Sequence, residues 1–204
     1  MRPDHPGIAK VAEALAALPP VQVPDDSAGL SRAAVALLLR PAGRDLELLL
    51  IRRAEREGDP WSGHMALPGG RAQAEDAGPA ATAARETREE VGIDPLDGGA
   101  LLGGLEPLWP RSGRAPRLLV HPFVFSVPAD AEPTPNHEVD AALWIPVSEL
   151  LHPGAVTEHL YEIEGADPLR FPALGTRGYV IWGLTHRILS DFLALYAGGA
   201  GGQG

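Results

Sequence analysis

The 204-residue chain contains no cysteine. That excludes disulfides, thiolate nucleophiles and thiolate metal sites together, and the expected location is the cytoplasm. Lysine is nearly absent too: Lys10 is the only one, so arginine carries almost all the positive charge. That charge is outweighed, the formal net charge being −10. A surface this acidic repels nucleic-acid backbones and anionic lipid, so neither nucleic acid nor membrane is expected as a partner. No apolar run approaches the roughly 18–20 residues of a bilayer span. The stretch "MRPDHPGIAKVAEALAALPP" has Lys10 and Glu13 inside its best apolar segment, so a secretory signal is not expected.

What is present supports a full core. Hydrophobic residues make up 45% of the chain, and the length suits one domain. The expected organisation is an N-terminal helix and Pro-rich linker at 1–28, a main domain at 29–196 and a disordered tail at 197–204. Ile8, Val11 and Leu15 stand at helical spacing and could pack on this core or on a second copy, which leaves a homodimer open. "AAVALLLR" (33–40) and "LELLLIRRA" (46–54) read as a hairpin, and 57–70 as a loop. Residues 79–91 read as a helix, with Pro79 at its start and Gly92 past its end. Strands are expected at 100–109, 117–128, 139–147 and 157–163, with one helical turn at 148–151. A long helix is expected at 178–196, with Ile181, Leu184, Ile188, Phe192 and Leu195 as one stripe and Trp182 in the core. The irregular interleaving predicts an α/β fold with a mixed sheet and helices on its faces.

On the 79–91 helix, Glu86, Glu89 and Glu90 fall at i, i+3 and i+4, so their carboxylates share one side. Arg85 precedes Glu89 by four residues and can brace it. Such a face can simply be solvated. The "LPGG" loop (67–70) just before it points elsewhere, because glycines admit close approach of backbone to a ligand. Clustered carboxylate oxygens suit Mg²⁺ or Mn²⁺, which also bind phosphates.

The run from Gly70 through Asp76 to "RETREEVGI" (85–93) resembles the Nudix box, usually written G-x5-E-x7-R-E-U-x-E-E-x-G-U with U apolar. Gly70, Arg85, Glu86, Glu89, Glu90, Gly92 and Ile93 match. Asp76 replaces the early glutamate, one extra residue precedes Arg85, and Thr87 takes an apolar slot. The first two departures also occur in the coenzyme A pyrophosphatase branch. The resemblance implies a Nudix-type α/β/α sandwich with a mixed β-sheet, and metal-dependent hydrolysis of a nucleoside diphosphate linked to another moiety. It implies Glu89 and Glu90 as metal ligands, with the Gly70 carbonyl a further one. Glu86 would be another ligand or the base that deprotonates water, and Arg85 would orient the carboxylates.

Upstream, "LLIRRA" (49–54) and "GHMALPGG" (63–70) resemble the coenzyme A subgroup's motif, which implies coenzyme A or acyl-CoA as substrate. The motif's second arginine is missing from its slot, which holds Gly58 or Asp59, and Arg56 is displaced. ADP-ribose, dinucleotides or oxidised nucleoside triphosphates are therefore alternative substrates, and a non-catalytic nucleotide-binding module is the lesser alternative. Arg52 and Arg53 alternate across a strand, so one of them can face a phosphate. Arg71 could meet a phosphate, and Trp109 in the polar stretch 109–117 could stack on a base. Glu138 and, less strongly, Glu106 could add a ligand or base, or merely cap a strand. His64 reads as an ordinary loop histidine.

Overall fold

The computed structural model describes residues 5–19, 31–58, 61–109, 118–163 and 166–198. The Pro-rich linker, most of 109–117 and nearly all of the expected tail lie outside these.

Strand β1 (Ser31–Ala42) is the axis of the fold. Its run of Ala and Leu side chains reaches zero exposure on both faces: Ala34, Ala36 and Leu38 point one way, Leu37 and Leu39 the other. A strand covered on both sides reads as a continuous apolar run rather than an alternation. β1 turns at Gly43 into β2 (Asp45–Arg53), its antiparallel partner. β3 (Met65–Ala66) pairs with β2, and β4 (Gly69–Arg71) pairs with the first half of β1. β5 (Ala100–Gly104) is the outer neighbour of β6 (Leu118–Ser126), which runs parallel to β1. β7 (Val139–Pro146) adds to β2 antiparallel. The sheet is therefore mixed.

Helix α1 (Pro6–Ala16) buries Ile8, Val11 and Leu15 in this chain's own core. α2 (Pro79–Val91) covers the opposite face of the sheet through Ala83, Ala84 and Val91. A short α3 (Val147–Leu151) leads to β8 (Val156–Ile163), β9 (Ala166–Thr176) and β10 (Tyr179–Trp182), which form a small second sheet in the order β10-β9-β8. α4 (Gly183–Ala197) then packs Ile188, Leu189 and Phe192 on the α1 side. Helices on both faces of a mixed sheet make the α/β/α sandwich.

Four expectations change. The long C-terminal helix begins at Gly183, because Gly183 has φ +65° and "YVIW" pairs with β9 as a strand. Ile181 is buried there on a strand, and Trp182 is only part-buried. The strand expected over 100–109 ends at Gly104, with only Leu108 bridging to Val120 beyond it. The 57–70 loop holds β3 and the start of β4.

Candidate functional site

The site forms where α2 crosses the bend between β3 and β4. Gly69 has φ +155°, and a Cβ there would stand 2.3 Å from the Ala34 carbonyl oxygen. Only glycine lets β4 lie this close to β1. The bend thereby turns its backbone toward α2: the Gly69 N–H donates to Glu90 Oε2 at 2.9 Å. Next to it, Gly70 lies under the Glu86 carboxylate, so Glu86 and Glu90 both face the "PGG" bend.

Arg85 ties the acidic side chains together. Its Nε and Nη2 donate to the two oxygens of Asp76 at 2.9 and 3.1 Å. Nη1 donates to Glu86 Oε1 and to Glu89 Oε2, both at 3.0 Å. The second Nη2 hydrogen goes to the Arg71 carbonyl at 3.0 Å. All five N–H groups of the planar guanidinium are used, a pattern lysine cannot reproduce. The Arg85 bonds hold the Asp76 carboxyl well below the usual carboxylate range, and Asp76 in turn raises the guanidinium. Asp76 also accepts from Thr82 and the Gln73 N–H. This clamp role for the early acid of the box escaped the sequence reading.

Electrostatics set the four acids apart. Burial pushes the Glu90 carboxyl up to about 7, and the charges of Glu86 and Glu138 push in the same direction. The Gly69 N–H and the charge of Arg53 oppose them. Burial also raises Glu86, with Glu89 and Glu138 adding to it and Arg85 opposing. Glu89 is half exposed. Raised pKa values mark carboxyls whose ionised form lacks compensation in the fold, and an all-oxygen donor set fits a hard divalent cation that would supply it. Among the described residues, no three acidic or histidine side chains already converge on one point for an ion. Glu86 and Glu89 turn to Arg85 instead, and Glu90 to Gly69.

The other candidates separate. Arg53 brings its charge to Glu90, whereas Arg52 donates to Asp140 at 2.7 Å and pairs with Glu55 at 3.5 Å. Arg71 contributes its carbonyl to Arg85, while the residue itself is exposed. Glu106 and Trp109 are exposed between β5 and β6, and among the described residues no hydrogen bond or ion pair joins them to the acids. Glu138 enters the field of Glu86 and Glu90, and it accepts from Arg56 Nη2 at 2.9 Å. Arg56 therefore reaches Glu138 although its sequence position is displaced. His64 sets its ring edge against Trp182 at 5.0 Å, joining a cluster with His159, Tyr161 and Phe171. A cavity of about 330 Å³ opens at Phe171, Gly183 and His186 and includes none of the box acids.

Comparison with known proteins fits this geometry. The family model described as NUDIX domain matches residues 29–163. A Schizosaccharomyces pombe protein of unassigned activity is 42% identical over 114 residues, 54% of this chain and 35% of that protein. The peroxisomal coenzyme A diphosphatase ndx-8 of Caenorhabditis elegans is 31% identical over 140 residues, 63% of this chain and 54% of its own. The chain thus matches about half or less of the length of these relatives. The solved NUDIX hydrolase from Alicyclobacillus acidocaldarius shares the fold at a TM-score of 0.51, with 22% identity, covering 81% of this chain and 91% of that one. Since the matched span contains both the PGG bend and the acid-bearing helix, the chain belongs to the Nudix family.

Proposed function

We propose that this protein is a metal-dependent pyrophosphohydrolase, and that it cleaves the diphosphate bond of coenzyme A or acyl-CoA. The products are 3′,5′-ADP and (acyl-)4′-phosphopantetheine. The observation that carries the reading is the packing of Glu86 and Glu90 on the Gly69–Gly70 bend beside Glu89, with Glu86 and Glu89 oriented by Arg85 and Glu90 by the Gly69 N–H. A non-catalytic module does not need three acids held this way.

Glu89, Glu90 and the Gly70 carbonyl would hold Mg²⁺ or Mn²⁺, with Glu86 as a further ligand or as the base. Such a cation neutralises diphosphate oxygens and acidifies water. Arg85 Nη1 holds Glu86 by Oε1, so in the base role Oε2 would accept the proton of the attacking water. Arg53, and Arg56 once released from Glu138, supply positive charge toward the substrate's phosphates. The coenzyme A assignment draws on residues 49–54 and 63–70 and on the likeness to ndx-8.

A substrate panel with Mg²⁺ or Mn²⁺, its products resolved by mass, tests both levels. Release of 3′,5′-ADP from coenzyme A supports the narrow reading. Cleavage only of ADP-ribose, dinucleotides or oxidised nucleoside triphosphates removes coenzyme A and keeps the hydrolase. No turnover on any of them removes the hydrolase. Glu89→Gln is expected to abolish metal-dependent turnover.

A further inference from the structure

The last turn of α2 leaves backbone carbonyls without intrahelical partners, as every helix C-terminus does. Here the segment before β7 takes them up. The Thr134 N–H donates to Val91 O at 2.7 Å and the Asn136 N–H to Glu90 O at 2.8 Å. The Asn136 side chain then works in two directions. Its Nδ2 donates to Glu89 O at 2.8 Å, and its Oδ1 accepts the Glu138 N–H at 2.7 Å. The assignment is forced by chemistry, since a carbonyl needs a donor and an N–H an acceptor. Glu138 is held from a third side where its carbonyl accepts the Ala54 N–H at 2.8 Å. One half-buried asparagine therefore bonds the backbones of two box acids and that of Glu138, which lies 49 and 48 positions after them in sequence.

We propose that Asn136 is a positioning residue: it fixes Glu138 in register with Glu89 and Glu90, so that these three acids act on one divalent cation. The inference rests on reading the box acids as a cation site, and it adds a residue outside the box on which that site depends. A plain helix cap would serve the end of α2 alone. The bond from the Glu138 N–H to Oδ1 contributes nothing to the helix: it closes a local turn that sets Glu138, and Nδ2 of the same side chain joins that turn to Glu89 O on α2.

The test is Mn²⁺ affinity, measured by titration calorimetry on wild type, Asn136→Ala, Glu138→Gln and the double variant, with thermal unfolding of each. Asn136→Ala is expected to weaken Mn²⁺ about ten- to a hundred-fold, the range for residues that orient metal ligands. In the Glu138→Gln background it is expected to add no further weakening, while lowering the melting temperature equally in both backgrounds. Asn136→Ser keeps a short acceptor for the Glu138 N–H and is expected to restore most of the affinity. It also serves if the alanine variant fails to fold. Equal weakening with and without the Glu138 carboxylate, unchanged affinity, or no rescue by serine overturns the proposal. A wild-type protein that binds no Mn²⁺ overturns it together with the cation site. A wild type that shows the coupling yet hydrolyses no diphosphate overturns the proposed function alone.

Discussion

Gly70 and Glu86 share one volume: a Cβ on Gly70 would stand 2.6 Å from the Glu86 carboxyl carbon. The neighbouring Gly69 has a different obstacle, the backbone of Ala34 and Val35. These contacts separate function from stability. Gly70→Ala meets only the end of a flexible side chain, so it is expected to fold with a loss under about 1 kcal/mol while turnover and Mn²⁺ affinity fall about a hundred-fold. Gly69→Ala meets fixed backbone at a φ that side-chain-bearing residues rarely adopt, and is expected to lose about 3 kcal/mol or more. Urea unfolding and metal titration of the pair check this. Equal stability losses would contradict it.

Arg85 is expected to tolerate no substitution. Lysine keeps the charge but cannot fill five directions at once. Arg85→Lys should reduce turnover by at least ten-fold, and Arg85→Ala should destabilise the fold by about 3 kcal/mol by leaving Asp76 and Glu86 uncompensated. Denaturant melts and initial rates measure the two effects, and a wild-type rate for Arg85→Lys refutes the clamp.

Glu90 gives the metal-free protein a signed pH dependence. In the unfolded chain this carboxyl loses its proton near the ordinary value of about 4.3, while in the fold burial holds the proton until about 7. Its contribution is complete below about pH 4, declines as pH rises, and is lost above about 7. The difference is on the order of 3 kcal/mol. Melts in EDTA at pH 5 and pH 8 should show this decline. Glu90→Gln, which keeps an acceptor for the Gly69 N–H, should flatten it. A slope unchanged by that substitution rules Glu90 out as its source.

Arg56 makes a prediction about substrate rather than metal. Its side chain ends on Glu138, so its removal takes a cation away from the phosphates without removing an acid. Arg56→Ala should raise the KM for coenzyme A about ten-fold, with Mn²⁺ affinity undiminished. A kcat effect with KM unchanged would place Arg56 elsewhere in the chemistry.

Much of the box was legible because it is local. Residues at i, i+3 and i+4 share a helix side whatever surrounds them, and Pro79 and Gly92 mark helix ends through their own backbone preferences. The C-terminal element was less legible for the same reason. The apolar residues of "YVIW" continue the helical spacing of α4, and only pairing with β9, 3 to 9 positions earlier, makes them a strand.

The sequence alone determined which residues carry the charge, that they lie on one helix, and that two glycines precede them. Tertiary structure decided what those groups meet: Glu86 over Gly70, Glu90 on the Gly69 N–H, Arg53 rather than Arg52 toward the acids, and Arg56 and Asn136 on Glu138. The physical reason is range. Helix periodicity is a property of neighbouring backbone units, whereas a hydrogen bond between segments far apart in sequence exists only after the sheet and helices have packed.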